Sequence, residues 1–146
     1  MPTPVATHGL YLQLGDGDLA SSPTYTTVAQ IVEFGDLSHN STMVDVTGFS
    51  STNGYEEVFP SGIHRYDPFT IQVIYDPADG THDTSTGLED VASDEAKRAF
   101  KYVMPDASTH TATFEAYIEN FTKVAELENV FRANVTLRLT GEPTFA

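Results

Sequence analysis

The chain has 146 residues, no cysteine, and 7 basic against 21 acidic side chains for a net charge of −14. The length suits a single domain, which typically spans about 100–150 residues, and the lack of cysteine excludes disulfides, thiol catalysis, iron–sulfur clusters and thiolate zinc sites. Fifteen of the acids lie within residues 1–95, where Arg65 is the only basic residue, a balance that repels phosphate and argues against a surface that grips nucleic acid.

In chain order, MPTPVATHGL has no basic region leading into an apolar stretch, so no signal peptide is read. GLYLQL (9–14) alternates, with Leu10, Leu12 and Leu14 on one face, and GDGDLASSP (15–23) is dense in turn residues. TYTTVAQIVEF (24–34) is rich in β-branched and aromatic residues and reads as one strand. GDLSHNST (35–42) reads as a loop, MVDVTGF (43–49) as a short strand, and 50–66 as an irregular loop with exposed aromatics.

From Pro68 the pattern becomes regular. FTIQVIY (69–75) places Phe69, Ile71, Val73 and Tyr75 on one face, and DPADGTHD (76–83) is a turn. Residues 84–97 carry the only helical spacing, Leu88, Val91 and Ala92, with Ser85 or Thr86 as cap; this suggests about two to three turns, weakened by Gly87. RAFKYVMP (98–105), TATFEAYIENF (111–121) and VFRANVTLRLTG (130–141) follow as strands, the last with Phe131, Ala133, Val135, Leu137 and Leu139 on one face. One apolar and one polar face is the mark of antiparallel sheets. The expectation is a mainly β domain over 1–146, an antiparallel β-sandwich or half-open barrel of about seven strands with one short flanking helix at about 84–97. No apolar run approaches the ~20 residues that span a bilayer.

Chemical motifs are absent. His8, His39, His64, His82 and His110 are scattered without zinc spacing and read as solvated. Asp76, Asp79 and Asp83 raise calcium, but the spacing misses the EF-hand pattern and a turn explains them better. GDGD (15–18) is no phosphate loop, no GxSxG elbow exists, and Glu56-Glu57 and Asp94-Glu95 read as solvated surface. Sequons at Asn40, Asn120 and Asn134 carry little weight without an export signal. No catalytic residue, cofactor or metal is expected.

The order of features resembles the major tail tube proteins of siphophages, phages with long non-contractile tails. It runs from GLYLQLGDGD and TYTTVAQIVEF through MVDVTGFSSTNGYEEVFPSGIHRYDPFTIQVIYDP and TSTGLEDVAS to KRAFKYVMPD, TATFEAYIENF and FRANVTLRLTGEPTF. Val44-Asp45-Val46-Thr47 ahead of the aromatic loop and the ending Thr140, Gly141, Pro143, Phe145 carry it most directly. The resemblance implies a non-enzymatic virion protein whose hexameric rings stack into a tail tube, a negatively charged conduit for DNA that does not bind it specifically. It implies assembly in the host cytoplasm and tape-measure, tail-tip and terminator proteins as partners, with no membrane role. Residues 1–8 would be a flexible arm and 50–66 an interaction loop. Phe49, Tyr55, Val58, Phe59 and Ile63 are the candidate interface anchors, and Arg65 would pair with acids across the interface. A tail terminator or other tube or neck ring protein, and a monomeric β-sandwich binding module, are the alternatives.

Overall fold

The computed structural model describes residues 4–5, 8–127 and 129–146; most of the arm read at residues 1–8 lies outside them. The strands are β1 (Tyr11–Gly15), β2 (Tyr25–Thr27), β3 (Ile31–Phe34), β4 (His39–Asp45), β5 (Val58–Tyr66), β6 (Phe69–Ile74), β7 (Arg98–Val103), β8 (Thr111–Val124) and β9 (Arg132–Phe145), with helix α1 (Leu88–Asp94) between β6 and β7. Contacts divide the chain into two compact units, Met1–Asp36 with Pro68–Ala146, and Leu37–Asp67.

The larger unit is a seven-stranded antiparallel sheet in the order β2-β1-β7-β8-β9-β6-β3. Its alternating apolar positions meet as the sequence demands. Phe69, Ile71 and Val73 of β6 and Ala133, Val135 and Leu137 of β9 are fully buried, facing the same interior as Leu12, Phe100 and Phe114. The mainly β fold with one short helix is the one expected from the pattern.

The stretch read as one strand at 24–34 is broken, and the break shapes the unit. Its first part pairs with β1 and its second with β6, so one continuous segment supplies both edges of the sheet. Gln30 turns the corner in the left-handed region (φ 57°). The sheet therefore curls toward closure, as strands that switch sheets through a bend do. The corner peptide at Ala29 is satisfied by the 76–87 loop: its N–H donates to Thr81 Oγ1 (3.1 Å) and its carbonyl accepts from His82 Nε2 (2.7 Å).

His82 corrects the reading of all five histidines as solvated, since it is fully buried. Its Nδ1 accepts from the Asp76 N–H (3.2 Å), so the hydrogen bonds place the proton on Nε2. The aspartates of the same loop turn its backbone. Asp76 accepts from Ala78 N, Asp79 from Thr81 N and Oγ1, and Asp83 from the N–H groups of Ser85, Thr86 and Gly87.

Helix α1 is shorter than the expected 84–97. Asp83, rather than Ser85 or Thr86, collects the N–H groups ahead of it, and Gly87 sits at the cap in an extended conformation. Gly87 is required by close approach, since a Cβ there would lie 2.4 Å from Asp83 N. Glu95 ends the helix in the left-handed region (φ 53°). Leu88 and Val91 are fully buried, and Glu89 reaches Lys123 Nζ (2.7 Å) and accepts from the Tyr75 hydroxyl (2.5 Å). The Lys123 ammonium, and then the Tyr75 hydrogen bond, hold the Glu89 carboxyl below its ordinary range.

The smaller unit departs most from the sequence reading. The loop expected at 35–42 holds strand β4, the strand read at 43–49 ends at Asp45, and 50–66 is regular from Val58 onward. Only Thr52–Gly54 adds a 3-10 turn between the two. β4 and β5 pair antiparallel in a two-stranded ribbon with a register shift between Ser41 and Met43. Its residues are exposed almost throughout, so no buried face imposed the apolar alternation that marks strands in sequence.

Candidate assembly surface

Two features leave bonding capacity unused: the ends of the longest strands, and the faces of the ribbon. β8 and β9 each run 14 residues and pair with each other along nearly their full length. Their outer neighbours are shorter. β7 pairs with β8 only over Thr111–Ala116, and β6 pairs with β9 only over Arg132–Leu137. Residues 117–124 of β8 and 138–145 of β9 thus have no ladder partner on their second sides among the described residues, and those two open edges face opposite ways. Unpaired edges of this length are templates for another strand.

The ribbon adds apolar surface. Directly paired residues share a face, so Val44 and Phe59 lie together with Val46, while Met43 and Pro60 lie on the other face with Val58. Val44, Val46, Met43, Val58 and Phe59 are each about half exposed or more. A two-stranded ribbon alone is marginal in water, and this one exposes apolar side chains on both of its faces.

Of the expected anchors, Phe49, Tyr55, Val58, Phe59 and Ile63 are all exposed, Phe49 completely. Val58 and Phe59 join the paired strands on opposite faces, whereas Phe49 and Tyr55 lie in the connecting segment. Arg65 pairs in register with Asn40 and makes no ion pair among the described residues. Sequence reasoning missed Met43, Val44 and Val46 as surface groups, having read 43–49 as an ordinary strand. It also missed the open edges, because strand length relative to a neighbour is not written in either strand.

The end of the ribbon where His39 pairs with Tyr66 carries a side-chain cluster. His39 and His64 stack at 5.1 Å with Nε2 and Nδ1 3.1 Å apart, Ser41 Oγ lies 3.2 Å from His64 Nδ1, and Tyr66 packs on His39. At the ribbon's other end Asp45 accepts from Thr47 N (2.9 Å), which holds its carboxyl below the ordinary value.

No protein-family model matches the chain, and no curated protein resembles it in sequence at a significant level. The solved structures do. The fold matches the tail of an empty gene transfer agent (GTA) particle with C6 symmetry, at 19% identity and a TM-score of 0.75 over 97% of this chain and 99% of that one. The virion of a native gene transfer agent particle matches at 19% identity and a TM-score of 0.72, over the same shares of the two chains, 97% and 99%. The SPP1 tail tube matches at 13% identity and a TM-score of 0.68, over 97% of this chain and 78% of that one. The likeness establishes that the chain has the fold of these tail structures.

Proposed function

We propose that this chain is the subunit of a phage-type tail tube, a structural virion protein that closes into rings and stacks them into a conduit for DNA. The observation that carries the reading is the pair of open edges on opposite sides of the β8–β9 ribbon. An edge that faces one way on one copy and the other way on the next makes a head-to-tail contact, and such contacts close into rings when the rotation per copy allows. Six-fold closure is supported by the C6 symmetry of the matching GTA tail.

Stacking requires a second surface, and the exposed apolar ribbon, with Phe49, Tyr55, Val58, Phe59 and Ile63, supplies it. In this reading Arg65, which makes no ion pair among the described residues, meets an acid of the neighbouring copy. The reading is structural rather than catalytic, with the tail of a virion as location, the host cytoplasm as site of assembly, and tape-measure, tail-tip and terminator proteins as partners.

Negative-stain electron microscopy with size-exclusion chromatography over a concentration series tests it. Hollow tubes or stacked rings are expected. Single rings that never stack indicate a terminator, and a monomer at every concentration, even with tail-tip extract added, overturns the reading.

A further inference from the structure

The segment that connects β4 to β5 carries the chain's one Asn-Gly pair, Asn53-Gly54. Both residues are exposed, and nothing from Val46 to Glu57 is buried. The segment is pinned at its base, where Val46 N donates to Glu57 O (2.9 Å) and Glu57 N donates to Thr47 Oγ1 (2.7 Å). Its tip can therefore open without unpairing the ribbon, and local opening costs least where little is buried.

Asn53 differs from the other four asparagines. Asn40, Asn120 and Asn134 lie within paired strands, whose ladders fix the backbone. Those three and Asn129 also have hydrogen-bonded side chains, with Asp67, Thr122, Gln72 and Glu126 as partners, whereas the Asn53 amide has none among the described residues. The others are followed by Ser41, Phe121, Val130 and Val135, whose side chains crowd their own amide nitrogens. Gly54 has no side chain, and even a Cβ there would meet nothing within 4 Å.

An asparagine amide is lost when the next residue's nitrogen reaches it. The Gly54 nitrogen gives up its proton to solvent base and bonds to Asn53 Cγ. The Cγ–Nδ2 bond breaks, and ammonia leaves with a proton taken from water. Water then opens the five-membered imide at either carbonyl, leaving aspartate or isoaspartate. Water is the sole co-reactant, and nothing is oxidised or reduced. At ψ 21° for Asn53 the Gly54 nitrogen is turned away from Cγ, so that peptide must first rotate. The rotation gives up the bond from Gly54 N to Ser51 O, which at 3.4 Å is longer than the usual range of about 2.7–3.2 Å.

We infer that Asn53 is a site of spontaneous deamidation, and that the change ages the free subunit out of stacking. The second half rests on the assembly reading, which puts Phe49 and Tyr55, on either side of Asn53, in the stacking surface. Each event adds one negative charge to a chain that already carries −14. Residues 37–64 hold no Lys or Arg to meet it, and 45–57 already hold Asp45, Glu56 and Glu57. A charge covered by a neighbour without a partner is costly, so the altered subunit is disfavoured in a stack. Isoaspartate also inserts a methylene into the main chain and lengthens the turn between the two aromatics. A subunit stacked before the change keeps its turn closed, so assembled protein is spared.

The test incubates the full chain, free and as tubes, at neutral and mildly alkaline pH, with peptide mass spectrometry locating amide-to-carboxyl conversion. Free chain is expected to convert at Asn53 to both aspartate and isoaspartate, faster at the higher pH, with the other four asparagines intact. Asn53→Gln, whose imide ring would need six members, is expected to stay unconverted. Asn53→Asp, which keeps a residue tolerant of the left-handed region, is expected to raise the protein concentration needed for tubes by about fivefold. Asn53→Gln is expected to form tubes as wild type does. No conversion at Asn53, or equal conversion at another asparagine, would overturn the modification site. Normal tube formation by Asn53→Asp and by aged wild type, or conversion in tubes as fast as in free chain, would overturn its effect on stacking. Failure of fresh wild type to form tubes would overturn the assembly reading and the stacking effect with it, while the mass spectra still decide the modification.

Discussion

Tyr102 and Phe34 meet edge to face with ring centroids 5.7 Å apart, although four ladders separate their strands in the hydrogen-bonded order. In a flat sheet those strands would stand about 19 Å apart. Tyr102 also meets Phe69 at 5.9 Å. The contact therefore reports the curl that brings β7 and β3 face to face across the interior. Tyr102→Ala is expected to cost about 2–4 kcal/mol in urea unfolding through the cavity and the lost ring pairs, whereas Tyr102→Phe keeps both pairs and stays within about 0.5 kcal/mol. Equal stability of Tyr102→Ala and wild type would show that the curl is set elsewhere.

His82 ties the corner at Ala29 to the loop that leads into α1. His82→Ala orphans the Ala29 carbonyl and the Asp76 N–H beside a new cavity, and a loss of about 2–4 kcal/mol is expected. Hydrogen exchange locates the effect. The Val28, Ala29 and Asp76 amides are expected to lose protection before those of β8 and β9; uniform loss across the sheet would contradict a local role.

Gly87→Ala forces a methyl into the backbone of Asp83, with an ideal Cβ 2.4 Å from its nitrogen. A destabilisation of about 2 kcal/mol or more is expected. Gly48→Ala, where a Cβ meets nothing within 4 Å, serves as control and is expected to change thermal midpoint by less than the error. Similar midpoints for the two variants would mean that the 82–87 turn yields easily.

Asp79, Asp83 and Glu89 all have carboxyls held below their ordinary values, by Thr81, by the Thr86 backbone and by Lys123 respectively. The unfolded chain then binds more protons than the folded one at mildly acidic pH, so stability rises with pH there. The stabilisation is complete above the ordinary values of 3.8 for Asp and 4.5 for Glu, and is lost as pH falls through the lower folded values. Thermal midpoints between pH 7 and pH 2.5 are expected to drop most steeply below about pH 4.5, and Asp83→Asn is expected to flatten that drop. A midpoint independent of pH across the range would refute the assignment.

For assembly, Val44→Ser combined with Phe59→Ser removes one apolar face of the β4–β5 ribbon. Tube formation is expected to need about tenfold more protein, since interface aromatics commonly carry more than 1 kcal/mol each. The unfolding midpoint of the larger unit is expected to stay unchanged by hydrogen exchange at β8 and β9. Normal tube lengths at the wild-type concentration would remove the ribbon from the stacking contact.

By itself the sequence determined the mainly β architecture, the core positions of β6, β8 and β9, and the existence of α1. Burial on one face writes itself as alternation, which needs no knowledge of partners. Phe69, Ile71, Val73, Ala133, Val135 and Leu137 were legible for that reason. The exposed aromatics Tyr55 and Phe59 were legible too, lying among turn residues with no periodicity to absorb them. Only the tertiary structure decided the rest. It broke 24–34 into two edge strands at Gln30, buried His82 on the Ala29 carbonyl, and left the outer sides of residues 117–124 of β8 and 138–145 of β9 without a ladder partner among the described residues. Each depends on which distant segment lies alongside, and a residue's neighbours across a sheet are set by register and curl, which no local pattern encodes.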